Sequence, residues 1–227
     1  MKKNIVVISG AGISAESGIS TYRDLNGFWK VHDHSEVASP EAWKKDRPKV
    51  LEFWNSRRKD IELAEPNSAH YSLSRLEQYA NVKIITQNID NFHERAGSTS
   101  VLHLHGEITK ARSSVDKKLI YELNGRDIEI GDRCSKNSQL RPHVVWFGEQ
   151  VPLFKEAQRI AAQADIFLVI GCSLKVYPAA YLVEKKPASI PMYVINPDLE
   201  IEDEHHIKQV ATIGCEIVVN CIIQQLI

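Results

Sequence analysis

The sequence predicts an α/β protein, a Rossmann-like parallel sheet interrupted by a helical insertion and a small hairpin-like insertion. Three observations predict it. Short runs rich in Ile and Val recur at Asn4–Ser9, Val82–Thr86, Val101–Leu104, Ile166–Ile170, Met192–Ile195 and Glu216–Val219. Continuous apolar runs, as opposed to alternating ones, suit parallel strands covered on both faces. Between them lie helical patterns: Pro152–Ala164 is amphipathic through Leu153, Ala157, Ile160, Ala161 and Ala164 and leads directly into the Ile166 run, an αβ unit of the doubly wound kind. Finally, the first run passes straight into Gly10-Ala11-Gly12-Ile13-Ser14-Ala15, a G-x-G-x-x-A.

Two segments break the alternation. The core reads as 1–28, 81–106 and 143–227; a helical insertion covers about 29–80, and a polar insertion covers about 107–142 with brief alternation at Leu119–Leu123 and Ile128–Ile130. A chain of 227 residues fits one such interrupted domain. Its 28 basic and 29 acidic residues give a net charge of −1, which argues against a nucleic-acid coat or a polybasic membrane binder. No apolar stretch approaches the ~18 residues of a membrane span. The apolar run Ile5–Ile8 is too short for a signal core of roughly 7–15 residues. The expected compartment is the cytoplasm, with neither nucleic acid nor membrane as partner, and the oligomeric state is not legible. Four cysteines (Cys134, Cys172, Cys215, Cys221) include no Cys-x2-Cys pair, so no metal is expected.

The glycines of the first loop permit a tight turn and close backbone approach to a pyrophosphate, and a helix opening after them would add N–H donors and a favourable dipole. The same pattern also marks a plain strand-to-helix turn. No second strand bearing an acid follows ~20 residues on, which disfavours an ordinary dehydrogenase. Thr21, Tyr22 and Arg23 then bring a hydroxyl, a ring and a cation beside the loop. Further polar groups gather at strand ends, where open α/β sheets bind ligands: Thr86-Gln87-Asn88-Ile89-Asp90, and His103 and His105 before Gly106. The two histidines share one side of a strand. Each reads equally as a satisfied core or surface residue, and His105, at the strand end, is the better candidate for reactivity.

Taken together, Gly10–Arg23 (GAGISAESGISTYR), Thr86–Asp90 (TQNID), His105-Gly106, Val145–Glu149 (VWFGE), Gly171–Ser173 (GCS), Val176–Pro178 (VYP) and Ile195–Asp198 (INPD) resemble the sirtuins, NAD-dependent protein lysine deacylases, in order and over nearly the whole chain. The likeness is greatest to the compact, desuccinylase-like bacterial branch. The resemblance implies NAD as cofactor, acyl-lysine proteins or peptides as substrates, and nicotinamide, O-acyl-ADP-ribose and free lysine as products. It implies that His105 is the base that takes a ribose proton, an imidazole being suited to proton movement near neutral pH. Asn88 and Asp90, flanked by Gln87 and Ile89, would hold nicotinamide. Gly10, Ala11, Gly12, Ala15 and Glu16 would form the pyrophosphate turn below Thr21, Tyr22 and Arg23, with Tyr22 where Phe is usual. Gly171, Cys172 and Ser173 match phosphate and ribose contacts; Cys172 stands where Thr is usual and reads equally as a small buried packer. Asn196 and Asp198 match the adenosine ribose, and Cys215 the adenine end.

The resemblance further implies that Val145, Phe147, Gly148 and Glu149 form one wall of a peptide cleft and Val176 and Tyr177 the other, the substrate adding as a strand between them. Without it the Val-Trp-Phe run reads as plain core. Two departures stand out. Of a four-cysteine zinc module only Cys134 remains, with Ser113 where a first cysteine is expected, so an apolar hairpin at Leu119–Ile130 is expected to replace zinc as the staple. In the acyl pocket Ala38 is followed by Trp54-x-x-Arg57 in place of Tyr-x-x-Arg. Val50, Trp54, Arg57 and Ile61 share one helical face. By itself Arg57 reads as snorkelling or paired with an acid. By resemblance it would grip an acyl carboxylate, with the Trp54 N–H as a further donor. Acetyl and acidic acyl groups (succinyl, malonyl) both remain open. NAD glycohydrolase or ADP-ribosyltransferase activity is the alternative enzyme reading, and a non-catalytic ADP-ribose binder the alternative of another class.

Overall fold

A computed structural model describes residues 2–21, 33–172, 179–199 and 205–227. Six parallel strands form the main sheet in the order β3-β2-β1-β7-β8-β9, namely Val101–His103, Asn81–Thr86, Asn4–Ser9, Ile166–Ile170, Met192–Ile195 and His206–Ile207. The wholly apolar strands follow from burial on both faces. Ile5, Val7, Ile84, Leu168, Ile170 and Ile195 pack with Ala69, Leu73 and Leu76 of helix Ser68–Leu76 and with Val218, Val219 and Ile222 of helix Ala211–Leu226. Val6, Ile8, Ile85, Phe167, Val169 and Val194 point the other way, onto Ala157 and Ala161 of helix Phe154–Ala161. Period two thus splits one apolar run between two cores.

The sequence expectation of a strand at Glu216–Val219 is overturned, because these residues lie inside helix Ala211–Leu226. The buried positions of that helix, Ala211, Gly214, Cys215, Val218, Val219 and Ile222, follow the helical stripe i, i+3, i+4, i+7. A four-residue window within such a stripe cannot be told from a strand. No helix among the described residues is long and apolar enough to cross a membrane.

A second sheet of three antiparallel strands, in the order β5-β4-β6, comprises Ile120–Glu122, Gly106–Ser113 and Leu140–Val144. The alternation at Leu119–Leu123 is real: Leu123 is buried and Glu122 exposed. Its pairing partner is Lys110–Arg112, however, and not Ile128–Ile130. That second stretch is irregular, with Ile128 buried and Ile130 58% exposed, because side chains of an adjoining helix take up its backbone groups.

That helix is Arg47–Leu63, capped by the Asp46 carboxylate on Lys49 N, with Pro48 in its first turn. It buries Val50, Leu51, Trp54 and Ile61 against Ile108, Ala111, Leu123, Ile128, Cys134, Leu140 and Trp146. Polar groups complete the joint. The Asn55 amide donates to Ile128 O at 3.0 Å and accepts from Ile128 N at 3.1 Å. Arg58, fully buried, donates to Ile108 O and to Asn55 Oδ1, both at 2.8 Å. Asn55→Ala would orphan both backbone groups of the buried Ile128, at about 1–3 kcal/mol. Thermal unfolding is expected to show a Tm lower by roughly 2–12 °C. An unchanged Tm would remove Asn55 from the joint.

Candidate active site

The sheet order reverses between the first strand and Ile166–Ile170, and the crevice lies at their carboxyl ends. There two loops meet backbone to backbone. Gly12 N donates to Gly171 O at 2.9 Å and Gly10 N to Ile170 O at 3.0 Å. A Cβ on Gly12 would lie 2.7 Å from Gly171 Cα, and one on Gly10 2.7 Å from Gly171 O. Loop-to-loop packing therefore already requires these glycines. No regular helix opens after them: Ala11–Ile13 and Ala15–Ser17 are single 3-10 turns closed by Gly18 at φ 84°. The expected helix dipole is corrected to what two short turns can supply.

The crevice widens into a cavity of about 420 Å³. Gly10, Ala11, Gly12, Ala15, Glu16, Thr21, Gln87, Asn88, Ile89, His105, Gly171, Cys172, Asn196 and Asp198 line it, with Ala38, Trp54, Val145, Phe147, Gly148 and Glu149. Tyr22, Arg23, Ser173, Val176 and Tyr177 lie outside the described residues. Asp90 and Arg57 face a second, much smaller cavity, shared with Ala11, Ser14, Asn88 and Ile89. Cys215 reaches neither: it is fully buried in the sheet-facing core, its thiol pKa pushed up by burial, while Val210 and Ala211 meet the large cavity.

Short hydrogen bonds fix the polar floor. Thr86 Oγ1 accepts from Asn88 N at 3.0 Å, and Asn88 Nδ2 donates to Gly10 O at 3.2 Å and Ser14 Oγ at 3.1 Å. The Ser14 hydroxyl donates to Asp90 Oδ2 at 3.0 Å, while Asp90 Oδ1 accepts from Phe92 N. Burial raises the Asp90 pKa against these bonds. Ser14 therefore joins the glycine loop to the 86–90 segment. The sequence reading missed it, although its place within the loop motif was the available signal. Gln87 Nε2 contacts Cys172 Sγ at 2.9 Å, and Asn196 Nδ2 contacts Cys172 O at 3.4 Å.

His105 is partly buried, with Nδ1 2.9 Å from Gln87 O. A carbonyl only accepts, so Nδ1 carries the hydrogen and Nε2 keeps its lone pair. Burial lowers the His105 pKa, and the Gln87 bond opposes that only in part. The cavity wall thus carries an imidazole whose neutral form is favoured by burial. His103 is buried against Asn88 O and Glu94 and lines neither cavity.

Several side chains serve the scaffold. Glu16 accepts from Thr212 N at 2.9 Å and Thr212 Oγ1 at 2.6 Å, capping helix Ala211–Leu226. Glu149 accepts from Arg112 and Arg141, each donating to both carboxylate oxygens at 2.9–3.1 Å, and from Trp146 N at 2.9 Å. This locks the loop whose Phe147 N reaches Ala38 O at 3.0 Å and whose Val145 N reaches His105 O at 2.8 Å. Phe147 stays 40% exposed on the rim, stacked on His34. The expectation that Trp54 offers its N–H to a ligand is corrected, since Nε1 donates to Val37 O at 2.8 Å. Arg57 Nη2 donates to Ser20 O at 3.1 Å. Among the described residues, no group of three or more His, Cys, Asp or Glu is placed to hold a metal ion.

The profile of the Sir2 family matches residues 10–178. The chain is 52% identical over 195 residues to an NAD-dependent protein deacylase of Helicobacter pylori strain 26695, covering 86% of this chain and 85% of that protein. It is 52% identical over 198 residues to one of Aggregatibacter actinomycetemcomitans, covering 87% and 95%. Among solved structures, a Sir2 homologue in complex with ADP-ribose superposes with a TM-score of 0.89 at 35% identity over 99% of this chain and 94% of that one. A Sir2 homologue–NAD complex gives 0.86 at 35% identity over 100% and 91%. With the family profile spanning most of the chain and the crevice built from its motifs, this protein belongs to the Sir2 family.

Proposed function

We propose that the chain is an NAD-dependent protein lysine deacylase, and the observation that carries the reading is His105: a neutral imidazole with its Nδ1–H spent on Gln87 O and a lone pair on Nε2 at the cavity wall. The residues fit NAD. Small residues of the first loop leave room along one side, the Asn196 and Asp198 side chains suit ribose hydroxyls at one end, and Asn88 and Asp90 offer an amide and a carboxyl at the other. Relatives at about half identity carry the name NAD-dependent protein deacylase, and similar structures hold NAD or ADP-ribose. Bound NAD would supply an electrophilic ribose carbon and nicotinamide as leaving group. Asn88 and Asp90 would orient the nicotinamide end, His105 Nε2 would accept a ribose hydroxyl proton, and Val145 and its neighbours would pair with substrate backbone.

The acyl wall supports uncharged acyl groups, acetyl first. Among the described residues no Lys or Arg lines the large cavity, the Glu149 carboxylate there is already paired with Arg112 and Arg141, and the Trp54 N–H is already bonded. Arg57 reaches Ser20 and the smaller cavity. We also read the fold as independent of zinc, because Asn55 and Arg58 join the small sheet to the helical layer through direct hydrogen bonds.

Mass spectrometry of the products from NAD and an acetyl-lysine peptide tests the main reading: O-acetyl-ADP-ribose is expected, and plain ADP-ribose or unreacted NAD would contradict it. His105→Ala should lower kcat by about 10²–10⁴-fold while NAD still binds; near-normal turnover would remove His105 as base. Because the base works neutral and burial lowers its pKa, kcat/KM should rise with pH through a midpoint below the ordinary ~6.5 and then level off. A midpoint above the ordinary value would contradict this. On matched peptides, succinyl-lysine should be cleaved more slowly than acetyl-lysine and Arg57→Met should lower both alike; selective loss of succinyl cleavage would make Arg57 an acyl ligand. Dialysis against chelator should leave Tm and turnover unchanged, and a fall in either would show a structural metal.

A further inference from the structure

The two histidines at the end of Val101–His103 and just beyond it each hold one carbonyl of the same segment. His105 takes Gln87 O; His103 Nδ1 lies 3.1 Å from Asn88 O. His103 has a second partner, with Nε2 2.8 Å from Glu94 Oε1. A carbonyl and a carboxylate both accept, so satisfying both requires a hydrogen on each ring nitrogen, which is the imidazolium. Burial opposes that charge, but Glu94, with Glu107 and the Asn88 carbonyl, outweighs it and the His103 pKa is raised. Partial burial likewise opposes ionisation of Glu94, yet His103 and Lys110 hold its pKa below the usual carboxylate value. Neither residue lines a cavity, whereas Asn88 lines both and its amide is fixed on Gly10 and Ser14.

We propose that Glu94 and His103 are positioning residues, an ion pair that grips the Asn88 carbonyl and so fixes the 87–90 segment where the nicotinamide end of NAD must sit. The proposal rests on the function read above. A charge-assisted bond is roughly twice as strong as a neutral one. A neutral His103 has one N–H for two acceptors, so one contact fails and the segment loosens. The charged and titratable groups facing the ring are Glu94 and His93 on helix Phe92–Arg95, Glu107 on the adjoining strand, and Asp90.

The Glu94 side chain is 42% exposed, so Glu94→Gln leaves the core intact. Without the carboxylate, burial dominates and the ring is neutral at pH ~8: Nδ1–H stays on Asn88 O and Nε2 accepts from the introduced amide, so both contacts survive but the charge assistance is lost, to return only in acid. The measurement is the ratio of variant to wild-type kcat on an acetyl-lysine peptide at saturating NAD, from pH ~4.5 to ~8.5; His105 titrates in both proteins and cancels. The ratio should be highest in acid, where the ring regains its charge, and fall to about one fifth at pH ~8, with ADP-ribose affinity by calorimetry within about threefold of wild type. His103→Gln keeps an amide donor that cannot titrate, so its ratio should be reduced but level across pH. A level ratio for Glu94→Gln, high or low, overturns the proposal. NAD cleavage by the wild type without deacylation would overturn the deacylase reading alone, and the same ratio is then read on nicotinamide release.

Discussion

The contact between the loop after the first strand and the loop after Ile166–Ile170 sets the geometry of the rest. Gly12 and Gly171 meet with no side chain between them, and a Cβ at either would strike backbone of the other loop. The contact holds the glycine loop low over the sheet edge and opens the crevice above it. It also presents Gly10 O and Ser14 Oγ to the Asn88 amide. Glu16, at the far end of the same loop, caps the carboxyl-terminal helix through Thr212 and brings Val210 and Ala211 to the cavity. One close approach thus organises the polar floor and the apolar end.

Charge is distributed over the floor by environment. His103 and His105 lie two residues apart, yet His103 faces a carboxylate that raises its pKa while His105 faces only a carbonyl and burial lowers its pKa. Asp90 is buried with its pKa raised, tied to Ser14 and Phe92 N. Backbone separates the two rings, so their pKa values are pushed in opposite directions. Glu149 plays the corresponding part on another wall of the cavity, where two buried guanidinium groups and Trp146 N fix the loop that carries Val145 and Phe147.

Much of this was legible in the sequence because the sheet is buried on both faces and its strands are continuous apolar runs, and because the site residues cluster at strand ends. The failures share a cause: local pattern says nothing about which partner takes a polar group or which period an apolar run obeys. Glu216–Val219 belongs to a helical stripe that extends on both sides of it. Ile128 escapes strand geometry because Asn55, 73 residues away, satisfies its backbone. Trp54 and Glu149 line the large cavity, yet a backbone carbonyl and two arginines claim their polar atoms, which no local pattern shows. Glu94 carries no motif signal, and only the fold places it on His103.

The protonation of the two rings is the account's central claim, and ¹⁵N NMR reads it directly. In protein labelled at histidine nitrogens and assigned through His103 and His105 substitutions, the spectrum at pH ~7.5 should show His105 neutral with hydrogen on Nδ1 and a bare Nε2. His103 should show both nitrogens protonated. A His105 ring carrying its hydrogen on Nε2, or a neutral His103, would contradict the account.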